Sequence, residues 1–200
     1  MLQKVKSGGK RWIGCKKCNN LHFFVVIFVK VGYTKNKEGG VTMAIRCATK
    51  AIIIENGAIL LNRCKGEDGD IYYDLPGGGQ KQYESMEQTV IREVKEETGY
   101  EVFVERFVAL AEEINVNEEY RAVYPEYTHR VLHIFTAKLT GEKRSLPTEM
   151  DFGMEESIWM PLEALDDTVK TRPGCLKEIL HRIVEADAPM YLGTEYIDRY

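Results

Sequence analysis

Between Gly78 and Tyr100 the chain reads Gly-Gly-Gln-Lys-Gln-Tyr-Glu-Ser-Met-Glu-Gln-Thr-Val-Ile-Arg-Glu-Val-Lys-Glu-Glu-Thr-Gly-Tyr. In a helix, Glu93, Glu96 and Glu97 fall at i, i+3 and i+4 and share one face. Like charges at that spacing destabilise an isolated helix by roughly 0.2–0.5 kcal/mol per pair. A hard divalent cation reverses the sign of the interaction, because Mg²⁺ takes oxygen ligands and favours carboxylates. The spacing therefore predicts a helix that carries a magnesium site on Glu93, Glu96 and Glu97. Ser85 is placed to cap that helix, which runs to Thr98, and Gly99 to end it in a left-handed turn. Met86, Val90 and Val94 recur every fourth residue and are expected to face the core.

The spacing has a second content. Gly78 is followed by five residues and Glu84, and seven more lead to Arg92-Glu93-Val94-Lys95-Glu96-Glu97-Thr98-Gly99. This pattern resembles the Nudix box. Tyr100 stands where that signature has an aliphatic residue, and Tyr83 where members often carry Gly. The resemblance extends from about Met43 to about Val184 and includes Trp159-Met160-Pro161-Leu162, similar to a Trp-x-Pro-Leu segment of many Nudix domains. It implies an α/β fold, the Nudix α/β/α sandwich with a mixed β-sheet. It also implies hydrolysis of a phosphoanhydride in a nucleoside diphosphate derivative, with Mg²⁺ or alternatively Mn²⁺. Glu93 and Glu97 are then catalytic, and Arg92 pairs with the box carboxylates and orients them. Glu84 lies near the metals or supports them. Glu156, just before the Trp159 strand, is either a further ligand or base from a second loop, or a solvated loop acid.

Ala44 to Ile54 and Ala58 to Arg63 read as strands joined by a tight turn at Asn56-Gly57. Gly77-Gly78-Gly79 permits a sharp turn and close approach, which makes Gly77 and Gly78 candidates for substrate contact. Glu101 to Val116 and Thr128 to Leu139 read as strands, with a polar, tyrosine-rich loop over 117–127 between them. Glu112 and Glu113 are expected to be solvated, and His129 and His133 to be a packed or surface pair rather than metal ligands. Pro173 is expected to begin a closing helix with Leu176, Ile179, Leu180, Ile183 and Val184 inward. Tyr191 to Tyr200 reads as a polar, aromatic tail. Arg46, Arg63, Lys81 and Arg130 are candidate phosphate or leaving-group contacts, and Tyr73 either stacks on a base or packs under the glycine loop.

A net charge of −4 argues against a general nucleic-acid binder, so no stable nucleic-acid partner is expected. The expected partner is a small-molecule nucleoside diphosphate substrate; dimers are common in the resembling family, so a homodimer is the assembly it suggests. Five cysteines without disulfide-rich spacing point to a reducing cytoplasm. The longest apolar run, Phe23 to Val29, is too short to span a bilayer, and Lys30 interrupts it without a small-residue cleavage pattern, so neither membrane nor secretion is expected.

Composition changes at Met43, which sets residues 43–200 as the hydrolase domain and 1–42 as an N-terminal extension. Codons for Glu38-Gly39-Gly40-Val41 accommodate a purine-rich ribosome-binding sequence if the source is bacterial, so the extension is expected to be leader or disordered. Cys15 and Cys18, with His22 nearby, are half of a zinc site, but no second ligand pair follows at ligand spacing. Two other functions share the fold: a non-catalytic nucleotide sensor, which often has a degraded box, and a prenyl-diphosphate isomerase, which needs a catalytic cysteine such as Cys47 or Cys64. The intact acidic triad favours the hydrolase. The sequence does not choose among nucleotide sugars, nucleoside triphosphates and dinucleotides.

Overall fold

A computed structural model describes residues 45–66, 68–141, 143–151, 153–183 and 187–198. The extension 1–42, with Cys15, Cys18 and His22, lies outside the described residues, as does Val184. Strands β1 (Arg46–Glu55) and β2 (Ala58–Lys65) form the expected hairpin; Asn56 and Gly57 both take positive φ, 50° and 76°, as a tight hairpin turn requires. The two strands pair only at Ile54 and Glu55 and separate away from the turn; on its other edge β1 pairs in parallel with β5 (His129–Leu139) along Arg46 to Ile53. Strand β4 (Val102–Asn115) runs antiparallel to β5. Strand β2 pairs antiparallel with β3 (Ile71–Asp74) and with β6 (Met154–Pro161). With β7 (Thr171–Arg172) and β8 (Met190–Ile197) at its ends, the sheet is mixed, in the order β7-β3-β2-β1-β5-β4-β8, with β6 attached to β2.

Strand alternation divides the core in two. Ala51, Ile53 and Leu60 pack with Val90 and Val94 of helix α1 (Met86–Thr98). Ala48, Ile52, Ile59 and Leu61 face the other way, against Leu176 and Ile179 of helix α3 (Leu176–Arg182). A helix therefore covers each face, and the fold is the α/β/α sandwich. Helix α1 has the expected ends. Ser85 Oγ accepts from the Gln88 N–H, the Gln88 side chain accepts from the Ser85 N–H, and Gly99 closes the helix at φ 76°.

Four segments differ from expectation. The 117–127 stretch is not a plain loop: Asn117 caps a short helix, α2 (Glu118–Val123), followed by a 3₁₀ turn at Pro125–Tyr127. Helix α3 starts at Leu176 rather than Pro173, because β7 (Thr171–Arg172) pairs with β3 and holds the chain extended up to the proline. The Tyr191 tail is strand β8 (Met190–Ile197), parallel to β4 along the edge of the sheet. Glu113 is buried at 3% exposure and ion-paired with Arg130 rather than solvated. His129 pairs with Glu112, while His133 is buried near Phe107. Among the described residues no helix is long and apolar enough to cross a membrane.

Leu60 is wholly buried in the layer between the sheet and α1. Leu60→Ala is expected to cost about 2–5 kcal/mol, seen as a lower urea midpoint with an unchanged slope. A loss of under about 0.5 kcal/mol, the range of surface substitutions, would contradict this packing.

Candidate active site

The site begins where β1 and β2 part. The edge of β1 that β2 leaves is taken by the glycine loop: the N–H groups of Thr49 and Ala51 donate to the carbonyls of Gly78 and Pro76, each at 2.9 Å, and the Gln80 N–H donates to the Cys47 carbonyl at 3.1 Å. The loop lies so close that a Cβ on Gly77, at φ 135°, would come within 2.2 Å of the Thr49 carbonyl oxygen. A Cβ on Gly78 would meet the Glu93 carboxylate at 2.7 Å. The glycines therefore bring the strand edge and the acidic helix together.

Arg92 organises the acidic helix. Its Nε donates to Glu84 Oε1 at 2.7 Å and its Nη2 to Glu84 Oε2 at 2.9 Å. Nη1 donates to Glu93 at 2.6 Å and Glu96 at 2.9 Å, and Nη2 also reaches the Gly79 carbonyl at 3.1 Å. The hydrogen bonds from Arg92 hold the Glu84 carboxyl down at about 2, while burial pushes Glu93 upward. The three box carboxylates share the helix face but divide their partners. Glu93 and Glu96 turn to Arg92; Glu97, only 3% exposed, accepts from the Gly77 N–H and from Asn62 Nδ2, both at 2.9 Å. Ser157 fixes Asn62 in turn, donating to its Oδ1 at 2.8 Å. Burial pushes the Glu97 carboxyl up to about 8, against the pull of nearby Lys50 and the Gly77 N–H. Among the described residues, no group of three or more His, Cys, Asp and Glu side chains is gathered closely enough to hold a metal ion.

A cavity of about 320 Å³ opens beside Glu97 and the glycine loop. Of the residues singled out from the sequence, Arg46, Gly77, Gly78, Glu97 and Arg130 line it. Arg46 crosses beside Gly79 and stacks its guanidinium 4.4 Å from the Tyr127 ring centre. Glu93, Glu96 and Arg92 stand behind the glycine loop rather than in the wall. Four candidates lie elsewhere. Arg63 pairs with Glu155 on the neighbouring strand. Tyr73 packs against the larger core, since alternation gives the opposite direction to Tyr72, which lines the cavity. Lys81 is exposed, 4.0 Å from Glu96. Glu156 is not in a loop: it is an exposed residue of β6 opposite Arg63, and the nearby acid in the cavity wall is Asp151.

Sequence reasoning missed Lys50, Asn62, Tyr72, Asp74, Tyr120, Tyr124, Asp151 and Arg172, all in the wall. The tyrosine-rich composition of 117–127 was the only local signal among them. The wall carries five basic side chains (Arg46, Lys50, Lys65, Arg130, Arg172) against three acidic ones (Asp74, Glu97, Asp151), a balance suited to an anionic ligand. Arg172 stacks on Tyr72, 4.0 Å from its ring centre. Cys64 also lines the wall, but burial pushes its thiol up to about 12, the reverse of an activated thiolate.

The family model of the NUDIX domain matches residues 45–182. The chain belongs to this family, and it is a hydrolase acting on phosphoanhydride bonds of nucleotide-like substrates. No curated protein matches the chain significantly. Among solved structures, it is similar to a NUDIX hydrolase from Nitrosomonas europaea at 17% identity and TM-score 0.55, covering 70% of this chain and 88% of that one. It is similar to a MutT protein from Bacillus halodurans at 21% identity and TM-score 0.52, covering 77% and 91%. The E. coli ORF135 protein matches at 23% identity and TM-score 0.51, covering 72% and 94%. These likenesses are of fold.

NUDIX proteins typically use divalent cations, and the box carboxylates are the kind of donor such an ion takes, although as they stand they do not close around one. The donors are carboxylate and peptide oxygens, suited to a hard ion. Burial raises both Glu93 and Glu97, so a bound cation would relieve a standing electrostatic penalty. The absent Cβ of Gly78 leaves the space around the Glu93 carboxylate open.

The Arg92–Glu84 contact has a measurable sign. Glu84 titrates at about 2 in the fold against an ordinary value of 4.5. Its contribution to stability is full above pH 4.5 and is lost as pH falls toward 2. In Glu84→Gln the melting temperature should fall less over that interval than in the unsubstituted chain. Parallel curves would contradict the contact.

Proposed function

We propose that residues 43–200 form a pyrophosphohydrolase that depends on Mg²⁺, or on Mn²⁺ in its place, and cleaves the phosphoanhydride of a nucleoside diphosphate derivative. The observation that carries this reading is the cavity itself. One wall presents Glu97 and the glycine loop; the others present basic side chains and the rings of Tyr72, Tyr120, Tyr124 and Tyr127. Phosphate charge and a planar base each find matching chemistry there.

Glu93, Glu96 and Glu97 are the side chains that would hold the ion, once Glu93 and Glu96 turn from Arg92 toward it. Bound there, it would screen the diphosphate charge and lower the pKa of a water. Arg92 keeps Glu93 and Glu96 oriented from behind, through its bonds to both and to Gly79. Glu97, fixed by Gly77 and Asn62 and open to the cavity, is the residue we assign as base, accepting the proton of the attacking water. The water oxygen forms a bond to phosphorus and the bridging P–O bond breaks, so two phosphorylated products leave. Arg46 and Arg130 lie in the wall, where they are suited to contact the phosphates, and the glycine loop offers the close backbone approach that a bulkier segment would deny. The base stacks on the tyrosines of the α2 segment, none of whose residues is buried by the protein itself.

The full chain should turn over at least one member of a panel of nucleotide sugars, nucleoside triphosphates and dinucleotides with Mg²⁺, and none with chelator. Glu97→Gln should lower kcat by about 10²–10⁴-fold. Tyr124→Ala should raise KM about tenfold for that substrate. Ligand binding without turnover on any member would replace this reading with a sensor, and turnover of isopentenyl diphosphate would replace it with an isomerase.

A further inference from the structure

Lys50 is a buried charge that hydrolysis, as described above, does not use. It lies in the middle of β1, where the next three residues, Ala51, Ile52 and Ile53, are all buried and apolar. Its own exposure is 7%. A lysine is seldom found at such a depth without partners. Here Nζ donates to the Leu75 carbonyl at 2.9 Å and the Gly77 carbonyl at 3.0 Å, and it forms an ion pair with Asp74 Oδ1 at 2.9 Å. Burial works to lower its pKa, yet Asp74 and Glu97 outweigh burial and the ammonium titrates above its ordinary value.

The partners of this ammonium form a pattern with those of the backbone. From Leu75 to Gly78, alternate carbonyls take different donors. Pro76 and Gly78 accept from the Ala51 and Thr49 N–H groups, while Leu75 and Gly77 accept from the Lys50 side chain between them. Every peptide of the loop is thereby tied to three consecutive residues of β1. The same loop turns the Gly77 N–H onto Glu97 Oε2 at 2.9 Å. Removing the ammonium would leave two buried carbonyls without their donor and the Asp74 carboxylate without its counter-ion, which favours rotation of the Leu75 and Gly77 peptides. The Ala51 N–H holds the Pro76 carbonyl, whose peptide carries the Gly77 N–H, but the two peptides that flank it have only Lys50 as donor, so their rotation would carry the Gly77 N–H off its line to Glu97.

We propose that Lys50 is a positioning residue: its ammonium clamps the Leu75–Gly77 segment so that the Gly77 N–H holds the Glu97 carboxylate in the pose hydrolysis uses. This rests on the assignment of Glu97 above, and the readouts below separate the two. Lys50→Met loses charge and donors; Lys50→Gln, one bond shorter and uncharged, keeps a polar group at this depth without spanning both loop carbonyls, and should preserve the fold if Met does not. The test is made on the full chain, with kcat and KM beside the amide proton shift of Gly77 by NMR without substrate or metal. In either folded variant kcat should fall about 10²-fold, the scale of an ångström-sized misplacement, with KM nearly unchanged. The Gly77 amide proton should move upfield as it loses its carboxylate acceptor. An unchanged Gly77 resonance in a folded variant overturns the proposal whatever the rate does. A risen KM with unchanged kcat overturns it as well, since that marks Lys50 as a direct phosphate contact. If the unsubstituted chain hydrolyses nothing, the function fails, while the amide shift still decides the clamp.

Discussion

Three carboxylates, Glu84, Glu93 and Glu96, crowd one stretch of helix and repel one another, and the fold is organised around the cation that answers them. Arg92 is that cation. Its five hydrogen bonds reach Glu84 before the helix, Glu93 and Glu96 on it, and the Gly79 carbonyl beyond it. A planar guanidinium with its donors in a fixed fork can serve several oxygens at once, which a lysine cannot. The arginine thus joins the glycine loop, the turn into the helix and the helix itself. Without it the acidic face would be a local source of instability rather than a usable array of oxygen ligands.

The second constraint is the parting of β1 and β2. A hairpin that stayed paired throughout would leave no strand edge for the glycine loop. Because β2 turns away to β3 and β6, the loop can zip onto β1 and bring Gly77 to Glu97. The cavity lies at this junction, with the box on one side and the α2 tyrosines on another. Burial at the junction also makes Glu97 an unusually weak acid, since its charge is poorly solvated there. Rigid elements supply the precision and the α2 segment supplies the aromatic surface.

What was legible in the sequence was local. The helix from Met86 to Thr98, its Ser85 cap and its Gly99 end follow from signals within a few residues of each other. The roles of Val90 and Val94 follow from their period. The inward turn of Arg92 came from resemblance to the box, and the structure gives it physical content. What was not legible depends on which strands become neighbours. Arg63 and Glu156 look available in sequence, but β2–β6 pairing sets them opposite one another, away from the cavity. Tyr73 and Tyr72 differ only by the parity of a four-residue strand whose register against β2 comes from tertiary pairing. Asn62 and Lys50 sit in strands that read as ordinary core, and only the loop folding over β1 reveals their purpose. The β8 edge strand was hidden because none of its residues is fully buried and they show no apolar alternation.

The central claim is that this cavity directs water to phosphorus. Turnover in ¹⁸O-labelled water, followed by ³¹P NMR of the products, tests it most directly. The account predicts label in a phosphate group of one product only, with none in the other and none when chelator is present. Label on carbon-bound oxygen, or incorporation that survives chelator, would contradict it.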